Sequence, residues 1–157
     1  MTVVVVQEDR LPSGIVFRRL GTAAERSSAR GLLDGAGIAY RSPRLAGDEV
    51  WSGLWNLTAA NGAALTAAAA TLRTSARVLE LRALVAVRNG GHRNALCGRL
   101  VRELADVCRA HGAERMMAGI AGGDVAAARL LRRAGFGTTR DPRPPEEGSI
   151  GWLAWEV

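Results

Sequence analysis

The sequence of 157 residues predicts an α/β domain built around a mixed sheet. Three observations carry this prediction. Apolar and β-branched runs alternate with helical patterns along the chain. Asn61-Gly62 stands between two candidate strands and is typical of a tight hairpin turn. The second half of the chain then has the order strand–helix–strand–helix–strand–strand, which indicates a sheet covered by helices.

The N-terminal part is predicted to hold two strands and one helix. Val3–Val6 and Ile15–Leu20 are rich in β-branched and apolar residues, which favour strands. Thr22 is followed three residues later by Glu25, which is the pattern of a capping box. We expect the helix that begins there to run from Ala23 to Leu33.

The next segment is predicted to be a loop followed by a hairpin. Tyr40–Asp48 contains a proline and a glycine and is expected to be a loop. Val50–Ala60 and Ala63–Leu72 flank Asn61-Gly62, so they are expected to be the two strands of the hairpin. The alanines of the second strand are also compatible with a helix, but the specific turn favours a strand.

The second half of the chain alternates strands with helices. Val78–Val87 is long and apolar enough to be a central strand. Asn94–His111 has apolar residues at helical spacing and ends before Gly112. The remaining predicted elements are a strand at Arg115–Ile120, a helix at Asp124–Ala134, the start of a strand at Phe136–Thr139, an exposed loop at Arg140–Gly148 and a last strand at Ile150–Val157.

The composition indicates one globular domain over residues 1–157. Apolar residues make up 48% of the chain and charged residues 23%, a balance that excludes a disordered chain. The formal net charge is +6, and all the cationic side chains are arginines. Arginine suits phosphates, so nucleic acid is an alternative partner. The arginines are scattered along the chain, which favours genome composition as their cause.

Metal and membrane chemistry are not indicated. Cys97 and Cys108 fit no zinc pattern, and two histidines cannot complete one, so no metal is expected. No apolar stretch is long enough to span a bilayer, and the N-terminus lacks the features of a signal peptide. We therefore expect a cytoplasmic protein with reduced thiols.

A glycine turn joins the strand at Val78–Val87 to the following helix. Gly90 and Gly91 leave backbone N–H groups accessible, and the first N–H groups of a helix have no partner within the helix. The helix dipole favours an anion at the same place, so a phosphate-binding turn is expected. An ordinary strand–helix turn that binds no ligand could have the same residues, and this alternative stays open. The expected donors are His92, Arg93, Asn94 and Ala95, and small residues follow at Cys97 and Gly98.

Two blocks of sequence are similar to the signature motifs of the GNAT superfamily of N-acetyltransferases. The first is "HRNALCGRL", residues 92–100, and the second is "GDVAAARLLRRAGF", residues 123–136. The helix–glycine–strand link between them also resembles the family. The positions in register are His92, Ala95, Leu96, Cys97 and Leu100 in the first block, and Asp124, Ala127, Leu130, Leu131, Gly135 and Phe136 in the second.

The resemblance implies a GNAT-like fold, with a mostly antiparallel twisted sheet of about six or seven strands and helices on both faces. It also implies acetyl-CoA as co-substrate. The arm of acetyl-CoA would run along main-chain groups of Val85 and Val87, like an added strand. The diphosphate would bind the main chain of His92, Arg93, Asn94, Ala95, Leu96, Cys97 and Gly98, with Asp124 nearby.

The resemblance further implies transfer of an acetyl group to a primary amine by direct attack. The backbone N–H of Val85 would act as oxyanion donor. Glu80 would receive the amine proton through water if a bulge corrects its register by one residue. The alternative for Glu80 is a solvent-facing residue paired with Arg82 or Arg73. The family often has a tyrosine as acid where this chain has Leu131.

The acceptor is expected to be a small-molecule or peptide amine. Tyr40 and Trp51 are the residues expected to line its pocket. Three alternative functions remain from the sequence: acetylation of aminoacyl-tRNA, regulation by a module that binds CoA without turnover, and nucleic-acid binding without CoA. Exposed strands such as Ile150–Val157 are compatible with a homodimer.

Overall fold

The computed structural model describes residues 15–34, 38–43, 53–59, 65–86, 93–138 and 150–156. The predicted strand at Val3–Val6, the Asn61-Gly62 turn and the predicted loop at Arg140–Gly148 lie outside these residues. In chain order the elements are β1 (Ile15–Arg19), α1 (Ala23–Asp34), β2 (Ile38–Arg41), β3 (Gly53–Ala59), β4 (Leu65–Arg73), β5 (Val78–Ala86), α2 (Arg93–Ala110), β6 (Arg115–Ala121), α3 (Val125–Ala134), β7 (Gly137–Thr138) and β8 (Ile150–Glu156).

Among the described residues, the strands form one mixed sheet in the order β1-β3-β4-β5-β6-β8-β7, with β2 paired to β5 outside this path. Seven strand pairs are described, and only the β5–β6 pair is parallel. The predicted mixed, mostly antiparallel sheet is therefore confirmed. Eight strands are described; β2 is an addition to the predicted set, whereas the two-residue β7 lies within the strand start predicted at Phe136–Thr139.

Strand β4 lies inside the sheet, and its run of four alanines is fully buried. Ala67 and Ala69 belong to the apolar cluster formed with α2 and α3, whereas Ala68 and Ala70 belong to the cluster formed with α1. Small side chains let helices approach both faces of the sheet closely. This two-sided cover explains why a run of alanines forms a strand here, and the predicted return strand of the hairpin is confirmed.

The helices begin and end at the predicted signals. The N–H of Glu25 donates to Oγ1 of Thr22 at 3.2 Å, and the N–H of Thr22 donates back to Glu25 at 3.4 Å, so the capping box is confirmed. These contacts and Arg18 hold the pKa of Glu25 below its ordinary value. Helix α3 ends at Gly135, whose φ of 128° favours glycine. In the described ranges, no helix combines the length and apolar character needed to cross a bilayer.

One element was not predicted. Tyr40–Asp48 was expected to be a loop, but Ile38–Arg41 forms strand β2 and pairs antiparallel with β5. The prediction was wrong because Pro43 and Gly47 gave a local loop signal, whereas this strand depends on a partner that is distant in the sequence. The pairing is irregular, since the register shifts between Ile38 and Tyr40.

A glycine in β3 gives a test of this packing. A Cβ added at Gly53 would lie 2.9 Å from the backbone oxygen of Thr71, which is too close for a carbon atom. We expect Gly53→Ala to lower the free energy of unfolding by about 1–3 kcal/mol in urea denaturation. The control is Gly31→Ala at an exposed position of α1, where a Cβ meets nothing within 4 Å. That variant should be more stable by about 0.5–1 kcal/mol, and equal effects would contradict the strand packing.

Candidate functional site

Two parallel strands at the centre of the sheet separate along their length. The β5–β6 pairing runs from Val78↔Arg115 to Leu81↔Ala118. Both strands continue beyond that point, β5 to Ala86 and β6 to Ala121. We call the space between residues 83–85 of β5 and residues 119–121 of β6 the strand gap. Ligands of α/β proteins commonly bind where the carboxyl ends of parallel strands diverge.

A bulge in β5 marks the place where the strands separate. In the pairing with β4, Thr71 lies opposite Leu81 and Ala70 lies opposite Ala83, so β5 has one additional residue at Arg82. A bulge re-aims the side chains on either side of it. The resemblance assigned Glu80 a role only if β5 contained a bulge of one residue, and that role stays a prediction.

Strand β2 occupies the strand gap. It pairs with β5 through Ile38↔Val85, Tyr40↔Leu84 and Arg41↔Ala83. Since β4 pairs with the same residues of β5 on one edge, β2 lies on the edge that faces β6. The N–H of Ser42 extends the contact by donating to the carbonyl oxygen of Arg82 at 2.8 Å.

Tyr40 links β2 to β6. Its hydroxyl donates to the carbonyl oxygen of Gly119 at 2.6 Å, and the carbonyl oxygen of Leu81 is a more distant acceptor at 3.4 Å. The side chain is only 2% exposed. Burial raises the pKa of the Tyr40 hydroxyl well above its ordinary value, and the negative charge of Glu80 adds to the rise. Tyr40 therefore stays neutral and acts as a hydrogen-bond donor inside the sheet.

Two charged side chains lie beside Tyr40 at the bulge. Nε of Arg82 lies 3.1 Å from Oε1 of Glu80, and the two side chains are 11% and 2% exposed. Removing one partner of a buried pair of this kind strongly destabilises the folded protein, because the other charge is left without compensation. Sequence reasoning weighed a catalytic Glu80 against a solvent-facing Glu80 paired with Arg82. The pairing with Arg82 is present, but the carboxylate does not face solvent.

The start of α2 has the properties of an anion-binding site. Its first turn contains no acidic residue, and the helix has 18 residues. Asn94 is exposed, Ala95 is half-buried, and Leu96, Cys97 and Gly98 are buried. The side chains of Leu96 and Cys97 pack into the apolar cluster, so the N–H groups before them, at the first turn of α2, are the ones left to bind a ligand. The predicted site residues Val87 and His92, and the turn at Gly90-Gly91, lie outside the described residues.

The start of α3 is organised by Asp124. One of its carboxylate oxygens accepts a hydrogen bond from the N–H of Ala127 at 3.0 Å, so the side chain caps the helix. Asp124 also lines an open groove of about 330 Å³ between α3 and β8. Its predicted role near a diphosphate stays a prediction. In the part of the chain that the structure describes, no three histidine, cysteine or acidic side chains are grouped to hold a metal.

The other predicted site residues are distributed as follows. Val85 is buried, and its main chain lies between Ala68 of β4 and Ile38 of β2. Tyr40 lies in the strand gap rather than at an open acceptor pocket. Leu131 is fully buried. Trp51 lies outside the described residues, so its predicted role is not tested.

A second cavity, of about 270 Å³, lies towards the opposite end of β5. Trp55 forms one wall, stacked on Phe17 and donating through Nε1 to Oγ1 of Thr71 at 2.8 Å. Arg19 lies over the Trp55 ring. This cavity is therefore separate from the strand gap.

Sequence reasoning missed the position of Tyr40 between β5 and β6 and the contact that Ser42 makes with Arg82. A signal was present in "LELRAL", where Glu80 and Arg82 interrupt an apolar strand two residues apart. Opposite charges at that spacing lie on the same face of a strand, and in a buried strand they indicate an ion pair. No local signal identifies Tyr40 as their neighbour.

Comparison with solved structures identifies the fold. A GNAT family acetyltransferase from Elizabethkingia anophelis with acetyl-CoA bound has a TM-score of 0.65 and 13% identity, over 92% of this chain and 99% of that chain. An IAA acetyltransferase from Bacillus cereus has a TM-score of 0.64 and 17% identity, over 92% of this chain and 100% of that chain. A Bacillus subtilis acetyltransferase in complex with CoA has a TM-score of 0.60 and 16% identity, over 92% of this chain and 98% of that chain.

No protein-family model matches the sequence, and no curated protein is significantly similar to it. The structural likeness nevertheless extends over nearly the whole chain. The chain has the GNAT fold, and the resemblance predicted from the two signature blocks is confirmed at the level of the fold.

The buried hydroxyl gives a direct test of the strand gap. The chain has one tyrosine and no lysine, so few side chains titrate above about pH 9. We expect no tyrosinate absorbance from the folded protein at about pH 11, where an exposed tyrosine is mostly ionised. Because the pKa of Tyr40 is higher in the folded than in the unfolded protein, its contribution to stability is complete below the unfolded-state pKa. This contribution is lost as the pH rises from the unfolded-state pKa towards the folded-state pKa.

The same shift predicts a pH-dependent free energy of unfolding. It should fall by about 1.4 kcal/mol per pH unit above about pH 10 through Tyr40 alone. Tyr40→Phe removes that component and is the matched control. Ionisation of the native protein near pH 10 would show that Tyr40 is not held in the strand gap.

Proposed function

We propose that the protein is an acetyl-CoA-dependent N-acetyltransferase that transfers an acetyl group to a primary amine by direct attack. The observation that carries the proposal is the separation of β5 from β6 directly before α2. The strand gap and the start of α2 follow one another along the chain, as binding of one elongated ligand requires. Solved proteins of this fold that have acetyl-CoA or CoA bound support the same ligand.

The start of α2 fits the diphosphate of acetyl-CoA. The first N–H groups of a helix are free to donate, and the dipole of an 18-residue helix favours a negative charge there. No carboxylate in the first turn opposes an anion. A Cβ at Gly98 would make only ordinary contact with Arg102, so the helix would tolerate an alanine at that position. The main chain of Arg93, Asn94 and Ala95 would therefore hold the phosphates.

The strand gap does not accept the arm of acetyl-CoA while β2 is in place. The arm was expected to pair with the main chain of Val85, but that edge of β5 is paired with Ile38. The proposed roles of the Val85 N–H as oxyanion donor and of Glu80 as proton acceptor therefore apply to a conformation in which β2 has left the gap. When bound, acetyl-CoA supplies an acetyl group already activated as a thioester.

The acid–base chemistry proposed for this chain depends on few side chains. Glu80 lies beside Arg82, and its carboxylate is the group that we propose receives the amine proton through water. Leu131 has no proton to donate at the position where the family often has a tyrosine. We therefore propose that water, rather than a side chain of α3, protonates the leaving thiol.

A second candidate function is supported by the same observations. Leu131 and the occupied strand gap also suit a module that binds CoA without turnover. The acceptor, which we propose to be a small-molecule or peptide amine, decides between the two. A calorimetric titration with acetyl-CoA tests binding, and release of free CoA over a panel of amines tests turnover. Binding without turnover on any amine would favour the module, and no binding by any variant would overturn both.

Charge at the start of α2 gives a specific prediction. Asn94→Asp places a carboxylate where the diphosphate is proposed to bind, so acetyl-CoA affinity should fall by about tenfold through repulsion. The same charge is favourable for the helix dipole, so the free energy of unfolding should stay equal or rise by about 0.3–1 kcal/mol.

The matched control is Ala24→Asp, which adds the same charge at an exposed position in the first turn of α1. It should not change the affinity for acetyl-CoA. Acetylated pantetheine lacks the diphosphate, so Asn94→Asp should not change its affinity either. A loss of affinity for both ligands would place the diphosphate elsewhere.

A further inference from the structure

We propose that β2 is a built-in occupant of the strand gap, held by Tyr40, and that an acyl-CoA binds by exchanging its arm for this strand. The inference rests on the proposed function for the identity of the ligand. Its structural basis is independent of that function, because β2 and its contacts are present in the chain alone.

The first argument is that the edge of β5 has room for one occupant. The pairs Ala68↔Val85, Ala69↔Leu84 and Ala70↔Ala83 fill the edge that faces β4. The pairs with β2 fill the edge that faces the strand gap, over the same residues of β5. A strand has only two edges, so an arm that pairs with β5 and strand β2 exclude each other.

The second argument is that the exchange conserves backbone hydrogen bonds. The residues of β5 from Ala83 to Val85 are buried, and unpaired backbone groups there would be unfavourable. The arm of an acyl-CoA contains amide groups, which donate and accept like a peptide strand. When β2 leaves, it exposes an edge of β5 whose backbone groups the ligand can hydrogen-bond. Water in a buried gap would do so poorly.

The third argument is that β2 is short and irregularly paired. It has four residues, and its register against β5 shifts between Ile38 and Tyr40. Its specific attachments are the bond from Tyr40 to Gly119 and the bond from Ser42 to Arg82. Helices α1 and α3 lie against it and complete its packing. A ligand that makes equivalent hydrogen bonds to β5 can compensate for the loss of these bonds.

The exchange would also change the surroundings of the proposed proton acceptor. Tyr40 and Ser42 lie beside Glu80 and Arg82, whose charges both act on the Tyr40 hydroxyl. When β2 leaves, the carboxylate of Glu80 loses this cover and becomes accessible to water and to an amine. Ligand binding and access to Glu80 are thereby coupled through one strand.

The single tyrosine of the chain reports directly on the exchange. Protein with ring-labelled tyrosine gives one set of NMR signals, from Tyr40 alone. Saturation with acetyl-CoA should move these signals to the position of an exposed tyrosine. Adenosine diphosphate shares the phosphates but lacks the arm, so it should bind at α2 and leave the Tyr40 signals unchanged.

The affinity of variants gives the second readout. Tyr40→Phe removes the bond to Gly119 and weakens the seated form of β2, so acetyl-CoA should bind about five- to tenfold more tightly. Ser42→Pro removes the donor to Arg82 and should act in the same direction, which keeps the test valid if one variant folds poorly. Neither variant should bind adenosine diphosphate more tightly.

The control for a general loss of stability is Thr22→Ala, which removes a capping bond at the N-terminal end of α1. It should leave the affinity for acetyl-CoA unchanged. Binding of acetyl-CoA with the Tyr40 signals unmoved, or with no gain for Tyr40→Phe and Ser42→Pro, would overturn the exchange and leave the proposed function standing. Absence of binding to the native chain and to both variants would overturn the proposed function itself.

Discussion

The backbone of β5 beyond Leu81 must be paired on both of its edges. Ala83, Leu84 and Val85 are buried, and each unpaired polar group in such a place would cost about 1–3 kcal/mol. Strand β4 satisfies one edge, and β6 has already turned away from the other. The remaining edge therefore needs a strand-like partner. In this structure the partner is β2, and in the proposed reaction it is the arm of the co-substrate.

This constraint connects the fold with the proposed chemistry. The bulge at Arg82 ends the β5–β6 pairing and gives the strand gap its position. The same bulge places Glu80 and Arg82 as a buried pair next to the hydroxyl of Tyr40. Helix α2 follows β5 in the chain, and its first N–H groups have no partner within the helix. An elongated ligand with a diphosphate at one end matches this series of groups.

The features that could be predicted from sequence depend on local interactions. The capping box at Thr22 and Glu25 and the helix end at Gly135 each involve residues a few positions apart, and both were predicted correctly. The alanine strand β4 was predicted from its turn. Strand β2 was missed because its pairing with β5 and the bond from Tyr40 to Gly119 join residues that are far apart in the chain. Burial of Glu80 could not be predicted, since it depends on that strand and on the bulge.

The central claim is that one edge of β5 is shared in turn by β2 and by the arm of an acyl-CoA. The most direct measurement is a crystal structure of the chain with acetyl-CoA bound. The account predicts a diphosphate at the first turn of α2, an arm paired with the main chain of Ala83 to Val85, and Ile38–Arg41 detached from β5. Acetyl-CoA bound while β2 remains paired with β5, and Tyr40 with Gly119, would contradict it.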